Sequence, residues 1–342
     1  MEEWVCGRAL SRATTPCRPD PEVIYPPRGR SRRHGRRTLY PSPLTHPPVI
    51  PRELFRKIRH VEVRTRGLVD DVFGGEYHSA FKGRGIEFAE VRPYQVGDDV
   101  RSIDWNVSAR TGETHVKLFE EEREQTLMMV VDVSGSQAFG STRPKRDLAA
   151  EVCAVLGFSA LRNSDKVGLV LATDRVERFV PPKKGKRHVL RMLRDLFAHE
   201  PQSRGTDLVA ALDHLLRVQR RRAIVVLVSD FIVPVREQPA LAKALRVAAQ
   251  KHDVVAVRLV DPREEALPAV GLLRVVDAET GRASLVDTSS RAVRDAFADR
   301  AGRRSAAAEA MLKASRVDHV TLRTDADYVE PLSAFFRQRA RR

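Results

Sequence analysis

The feature that most constrains the fold is a series of short, largely apolar runs that alternate with helical segments from residue 126 onward. Four of these runs read TLMMVVDV, KVGLVLAT, AIVVLVS and DVVAVRLV. A strand that is apolar on both faces has to be covered on both sides, which is typical of a parallel sheet with crossover helices. The pattern therefore predicts an α/β fold with a doubly wound, mostly parallel, Rossmann-like sheet.

Three segments of different character divide the chain of 342 residues. Residues 1–50 contain nine arginines and nine prolines without periodicity, which predicts a disordered leader, unless the true start codon lies further downstream. Residues 51–125 begin with apolar residues at helical spacing and continue with alternating runs, which predicts a helix and a small, mainly β subdomain. Residues 126–342 form the predicted sheet domain, in which LLRVVDAETGRASLVD predicts a hairpin around an acidic turn.

Oxygen-bearing side chains follow two of the predicted strands and begin one of the helices. The first strand runs into Asp132, Ser134 and Ser136, the loop RGTD places Thr206 at a helix start, and AIVVLVSD ends at Asp230. Because the carboxyl ends of parallel strands share one edge of the sheet, we expect these five side chains to converge in one crevice. The alternative is that they only cap helices and satisfy loop amides.

Two carboxylates and three hydroxyls, with no sulfur or imidazole, form a hard oxygen set that suits Mg²⁺ or Mn²⁺ rather than zinc. In this interpretation Ser134 and Ser136 bind the metal directly, and Thr206 binds it directly or through water. Asp132 and Asp230 hold coordinated waters. One coordination position stays open.

The order DxSxS, then a threonine in a later loop, then an aspartate after a later strand resembles the metal-ion-dependent adhesion site of von Willebrand factor A (vWA) domains. All five positions match. The resemblance implies a vWA-like fold and a protein partner that offers an acidic residue to the open metal position.

A second resemblance lies upstream of the sheet domain. The block GRGIEFAEVRPYQVGDDVRSIDWNVSARTGETHVKLFEEE is similar to the signature of the bacterial DUF58 family, whose members carry it before a vWA-type domain. The resemblance covers the chain from about Arg52 to its C-terminus. It implies a role as adaptor or effector of a MoxR-type AAA+ ATPase in protein maturation, complex assembly or stress response.

The polar residues of this block are expected to be structural rather than catalytic. Asp104 and Trp105 are interpreted as a buried anchor, and arginines are expected to pair with carboxylates at the domain junction. The residues in question are Arg92, Asp98, Asp99, Arg101, Asp104, Trp105 and Arg110.

Charge and the remaining motifs narrow the function further. The net charge of +15 invites a nucleic-acid interpretation, but much of the excess lies in the leader and in the terminal RQRARR, without interleaved aromatic residues. A basic nucleic-acid-associated protein is therefore an alternative, as is a metal-dependent phosphoester hydrolase, for which Asp174 and Asp207 are the nearest additional acids.

No secretory signal and no apolar run long enough to span a membrane are visible. We expect a non-enzymatic, cytoplasmic protein.

Overall fold

The computed structural model describes residues 3–6, 52–69, 73–81, 86–121 and 124–341. The strands are β1 (Glu3–Cys6), β2 (Ile86–Pro93), β3 (His115–Glu121), β4 (Thr126–Asp132), β5 (Lys166–Ala172), β6 (Val176–Lys183), β7 (Ile224–Ser229), β8 (Asp253–Val260), β9 (Leu272–Asp277), β10 (Ala283–Asp287) and β11 (Asp318–Arg323). The helices are α1 (Arg52–Leu68), α2 (Gly74–Ala80), α3 (Trp105–Thr111), α4 (Lys145–Arg162), α5 (Lys186–Phe197), α6 (Leu208–Val218), α7 (Gln238–Lys251), α8 (Pro262–Glu265), α9 (Arg291–Ala314) and α10 (Val329–Ala340).

A six-stranded sheet with the order β11-β8-β7-β4-β5-β6 forms the centre of the molecule. The first five strands in this order are parallel, and the edge strand β6 runs antiparallel to β5. The chain builds outward from β4 in one direction through β5 and β6, and then in the other direction through β7, β8 and β11. The strand order therefore reverses between β4 and β7, which is where doubly wound sheets place their ligands. The topology confirms the predicted fold class.

Helices cover both faces of this sheet, as the apolar strands require. Leu127, Met129 and Val131 of β4 are fully buried in one cluster with α4, α5 and α10. Met128 and Val130 of the same strand are buried in a second cluster with α6, α7 and α9. Because successive side chains of a strand point to opposite faces, a strand covered on both sides has no position left for a polar residue until it ends.

The helices that precede the block pack against the sheet domain. Phe73, Tyr77 and Phe81, at and around α2, belong to the same buried cluster as α4, and the Phe73 ring meets the Phe336 ring of α10 edge to face at 6.1 Å. The predicted domain boundary between residues 125 and 126 stays a prediction. In the structure the helical part of the N-terminal segment belongs to the packing of the sheet domain, whereas β2 and β3 pair only with each other as a two-stranded antiparallel sheet among the described strands.

Within the block, the structure corrects one expectation and supports another. The predicted buried anchor is half wrong, because Asp104 is buried but the Trp105 side chain is 68% exposed. Asp104 is the N-cap of α3 and accepts hydrogen bonds from the amides of Asn106 and Val107, so Trp105 becomes the first helical residue and faces solvent. Arg92 pairs with Asp98 through two hydrogen bonds of 2.8 and 2.6 Å, as expected of an arginine in this block.

The predicted hairpin is present, and most of the predicted leader is outside the described residues. β9 and β10 pair antiparallel around the acidic turn, and β1 pairs in parallel with β9 to complete a three-stranded sheet. Apart from residues 3–6 in β1, the predicted disordered leader lies outside the described residues. None of the described helices is both long enough and apolar enough to cross a membrane.

Candidate metal centre

The candidate site begins where β4 ends, at the point of strand-order reversal. After Asp132 the backbone amide of Val133 still pairs with the carbonyl of Ala172, and a short 3-10 turn follows over Gly135–Ala138. Gly135 is required there, because a Cβ atom at this position would lie 2.3 Å from the carbonyl oxygen of Ala278. The close approach of the hairpin therefore depends on a glycine between the two serines.

Four of the five predicted residues form one buried hydrogen-bonded group. The Ser134 amide donates to Asp132 Oδ1 at 2.9 Å, and the hydroxyls of Ser134 and Ser136 lie 3.2 Å apart. The Ser136 hydroxyl donates to Asp230 Oδ2 at 2.9 Å. Ser229 closes the group from β7 by donating to Asp132 Oδ2 at 2.7 Å. The structure thus brings together the ends of β4 and β7, as the strand pattern predicts.

Thr206 lies on a neighbouring loop and makes a different contact. The loop is tied to the serine turn by the Gly135 amide, which donates to the Arg204 carbonyl at 3.0 Å. The Thr206 hydroxyl donates to Glu279 Oε1 at 3.0 Å, in the turn between β9 and β10. The fifth predicted ligand is therefore hydrogen-bonded to an acidic side chain of the hairpin and not to the other four residues.

Two buried charged residues of this site, Lys145 and Glu264, are not predicted from the sequence. The Lys145 ammonium group, fully buried, lies 2.7 Å from Asp230 Oδ2 and 2.7 Å from Glu264 Oε1. One signal for Lys145 is visible in the sequence, since a lysine in the first turn of a helix is unfavourable beside the helix dipole unless an acid compensates it. Glu264 offers no such signal, because it belongs to the four-residue helix α8 more than a hundred positions away.

A fourth buried carboxylate, Asp261, lies at the same edge and accepts hydrogen bonds from the protein, as Asp132 and Asp230 do. Its side chain accepts hydrogen bonds from the amide and hydroxyl of Ser141 and from the amide of Arg263, and Thr324 also donates to it. It forms a capping box with Glu264 at the start of α8. Asp261 therefore has its acceptors occupied by donors of the protein.

The pKa values at the site reflect burial of like charges. Burial, followed by the negative charge of Asp230, raises the pKa of Asp132 to about 6. Burial alone would also raise the pKa of Asp230, but the ammonium group of Lys145 and its hydrogen bond hold that pKa below its usual range. Burial raises the pKa of Glu264. For Lys145, burial acts to lower the pKa and the two neighbouring carboxylates raise it by more.

These residues fit a divalent cation of the magnesium type. Asp132 and Asp230 are buried close enough for the charge of one to affect the pKa of the other, and a cation between them would favour both ionised forms. Within the described residues no group of three or more histidine, cysteine, aspartate or glutamate side chains is arranged to hold a metal. A metal here would consequently need hydroxyl oxygens as ligands, which hard cations such as Mg²⁺ accept. That all five residues bind a metal stays a prediction.

The acids considered for a hydrolase have structural partners. Asp207 is the N-cap of α6 and accepts a hydrogen bond from the Ala210 amide at 2.9 Å. Asp174 lies at the surface beside Arg175, whose guanidinium hydrogen bond holds the pKa of that carboxyl below its usual value. Both observations agree with ordinary loop and helix-start roles.

Comparison with known proteins places this chain in a recognised sequence family. The family described as protein of unknown function DUF58 matches residues 90–307. The uncharacterized protein Rv1480 of Mycobacterium tuberculosis is 35% identical over 311 residues, which cover 87% of this chain and 95% of that protein. The uncharacterized protein YeaD of Bacillus subtilis is 32% identical over 108 residues, which cover 32% of this chain and 25% of that protein.

Two solved structures are similar over about half or more of the chain. One is a conserved hypothetical protein BatB from Bacteroides thetaiotaomicron, with 13% identity and a TM-score of 0.40 over 64% of this chain and 100% of that one. The other, a von Willebrand factor type A protein from Catenulispora acidiphila, has 14% identity and a TM-score of 0.32 over 56% of this chain and 44% of that one. The strand order of the sheet, and not these two similarities, defines the fold of this chain.

Proposed function

Because the chain belongs to the DUF58 family, a family of unknown function, we propose its role from its own site: a divalent-metal-dependent module that binds another protein. The observation that carries the proposal is the buried group at the ends of β4 and β7. Asp132 and Asp230 come from different strands and are joined through Ser229 and through the two serines of the turn. Burying Asp132 beside Asp230 costs free energy, which a divalent cation between the two carboxylates would offset.

In this proposal Mg²⁺ or Mn²⁺ would be held by the hydroxyls of Ser134, Ser136 and Thr206, with Asp132 and Asp230 in support. When bound, the metal would supply an electrophilic position for a carboxylate of the partner protein. The chain's own contribution is to orient the oxygens. Gly135 allows the turn to curl, and the surrounding hydrogen bonds hold both aspartates in place.

The partner proposed from the resemblance of the upstream block is a MoxR-type AAA+ ATPase. The protein would act as its adaptor or effector in protein maturation, complex assembly or stress response, in the cytoplasm and without catalysing a reaction itself. The site supports a non-catalytic role in one respect. Within the part of the chain that the structure describes, its serine hydroxyls contact each other, Asp230 and the Gln137 amide group, and not a histidine that could serve as a general base.

The metal proposal is tested by titrating Mg²⁺ and Mn²⁺ against thermal unfolding and by calorimetric binding. Wild type should be stabilised, by about 2.7 kcal/mol at a metal concentration 100 times the dissociation constant. Asp132→Asn should lose this stabilisation while staying folded without metal, since it removes one of two buried like charges. Asp287→Asn, at the exposed end of β10, is the control and should respond as wild type does.

Two results would contradict the proposal. One is a wild-type protein that neither metal stabilises, and the other is equal stabilisation of wild type and Asp132→Asn. The partner is tested separately with a purified MoxR-type ATPase in a pull-down. Capture should require Mg²⁺, should be lost with chelator and should be lost in Asp132→Asn. Capture that survives both changes would show that the ATPase does not bind through the metal site.

A further inference from the structure

The turn between β9 and β10 is held by hydrogen bonds and carries an acidic side chain, Glu279. The Asp277 carboxylate accepts hydrogen bonds from the amides of Glu279 and Thr280 at 3.1 and 2.8 Å, and the Gly281 amide donates to the Asp277 carbonyl at 2.8 Å. Gly281 adopts a φ of +70°, a left-handed conformation that glycine accommodates without strain. Asp277 and the backbone thus hold the turn through these three hydrogen bonds.

The same turn is packed against the candidate metal centre. The carbonyl of Ala278 lies so close to Gly135 that a Cβ atom there would be 2.3 Å away, and Gly135 separates the two serines of the site. On the other side, a guanidinium nitrogen of Arg204 lies 3.6 Å from the position of a Cβ on Gly281. The hairpin tip therefore rests on both loops that carry the predicted hydroxyl ligands.

A hydrogen bond from Thr206 to Glu279 joins the hairpin tip to the loop that carries the fifth predicted ligand. The Thr206 hydroxyl donates to Glu279 Oε1 at 3.0 Å, and both side chains are partly buried. A carboxylate of the chain itself thus lies at the residue predicted to complete the metal ligands. This is the type of group that the proposed function expects from a partner protein.

We propose that Glu279 is an internal acidic ligand of the metal centre, which takes the open coordination position until a partner's carboxylate displaces the hairpin tip. The inference rests on the proposed function, because it assigns an occupant to the same open position. A tethered ligand competes as though it were present at roughly millimolar concentration or above, so the apparent affinity for the partner is reduced in proportion to the fraction of molecules in the open state. A partner must then displace the hairpin tip, so only a partner that makes further contacts besides the metal binds tightly.

The experiment uses Mn²⁺ as the metal and acetate as the external carboxylate. Water-proton relaxation measures how many exchangeable waters the bound Mn²⁺ keeps, and calorimetry measures metal binding. Glu279→Gln should add about one coordinated water and should bind acetate at least roughly threefold more tightly than wild type does. Asp287→Asn removes one charge at the other end of the same hairpin and should match wild type in both measurements.

A charge-preserving variant separates direct contact from long-range attraction. Glu279→Asp keeps the negative charge but shortens the side chain by one methylene, so it should behave as Glu279→Gln does in water count and acetate binding. If Glu279→Asp behaves as wild type while Glu279→Gln does not, only charge matters and the ligand assignment is overturned.

Failure of the inference and failure of the proposed function are distinguishable in the same data. If wild type binds no Mn²⁺, or binds it as Asp132→Asn does, the proposed function fails. If wild type binds Mn²⁺ through Asp132 but the Glu279 variants keep the wild-type water count and acetate affinity, the metal centre stands and the internal ligand is excluded.

Discussion

The two ends of the central sheet bury ionisable groups in different ways. At the carboxyl end, Asp132, Asp230, Asp261 and Glu264 are all buried, with Lys145 between two of them. At the amino end the ionisable groups Asp165, His252 and the pair Asp253 and Asp318 belong to separate arrangements. Both ends contain several acids and bases, and the two ends differ in whether these residues contact one another.

The groups at the amino end make contacts that are separate from one another. Asp165, whose pKa burial raises to about 6, accepts a hydrogen bond from the Gln125 amide at 2.8 Å where β4 begins. Arg339 of α10 bridges Asp253 and Asp318 at the starts of β8 and β11. His252 is buried beside Lys251, and it is kept neutral by burial. No divalent cation is needed to explain these contacts.

The difference follows from what the strands lead into. At the carboxyl end three loops converge where the strand order reverses, and they bring carboxylates from different strands into one group. At the amino end a backbone amide matches Asp165, and one arginine matches Asp253 and Asp318. Carboxylates from different strands therefore share one buried, hydrogen-bonded group at the carboxyl end, which is where we propose the metal.

The largest expected effect tests the compensation of charge at the carboxyl end. Lys145→Met leaves Asp230 and Glu264 buried without their cation, so the metal-free protein should lose about 3–5 kcal/mol of unfolding free energy in a denaturant titration. Lys166→Met removes an exposed lysine beside Glu124 and should change the unfolding free energy by less than about 0.5 kcal/mol. A loss below about 1 kcal/mol in Lys145→Met would show that the cluster tolerates its charges without the lysine.

The next effect is a pH dependence at the amino end. Burial, followed by the charges of Lys251 and Arg222, lowers the pKa of His252 to about 4, below its value of about 6.5 in the unfolded chain. Between these values the unfolded chain binds the proton and the folded protein does not, so stability falls as pH falls from 6.5 to 4. Relative to His252→Gln, wild type should lose about 2 kcal/mol over this range. His60→Gln, which replaces an exposed histidine, is the matched control and should show the same pH dependence of stability as wild type. If wild type and His252→Gln lose stability in parallel as pH falls, the effect is excluded.

A pH effect of opposite sign is expected at the carboxyl end. The pKa of Asp132 is about 6 in the folded protein, above the value of about 3.9 for an unfolded chain, so the folded protein binds the proton first. Without metal, stability should therefore rise by about 1–2 kcal/mol as pH falls from 6.5 to 4, relative to Asp132→Asn. Unfolding curves at several pH values, with chelator present, measure this difference. Saturating Mg²⁺ should remove the gain, and a gain that persists would place the metal elsewhere.

The smallest effect tests the pairwise contacts of the amino end. Arg339→Met removes the bridge to Asp253 and Asp318, whose side chains are 28% and 33% exposed, so water screens the acids that remain. We expect a loss of about 1 kcal/mol in unfolding free energy, well below that of Lys145→Met. Arg337→Met, on the same helix but 46% exposed, is the control and should cost less. Equal losses for Arg339 and Lys145 would remove the distinction between the two ends.

The fold and four members of the candidate site follow from local sequence. The alternation of apolar runs with helices determines the covered sheet, because a strand buried on both faces cannot accept polar side chains. Asp132, Ser134, Ser136 and Asp230 directly follow two such strands. Their meeting follows from the general rule that parallel strands present their carboxyl ends at one edge.

Tertiary structure alone decides which distant residues join them. Lys145 contacts Asp230 across 85 positions and Glu264 across 119, and Thr206 contacts Glu279 across 73. Trp105 faces solvent because Asp104 uses its carboxylate to cap a helix that the alternating pattern does not predict. Periodicity records which face of an element is buried, but it does not record which loops meet. Which loops meet depends on strand order and on close contacts such as that of Gly135 with the hairpin, and these contacts place Glu279 beside Thr206.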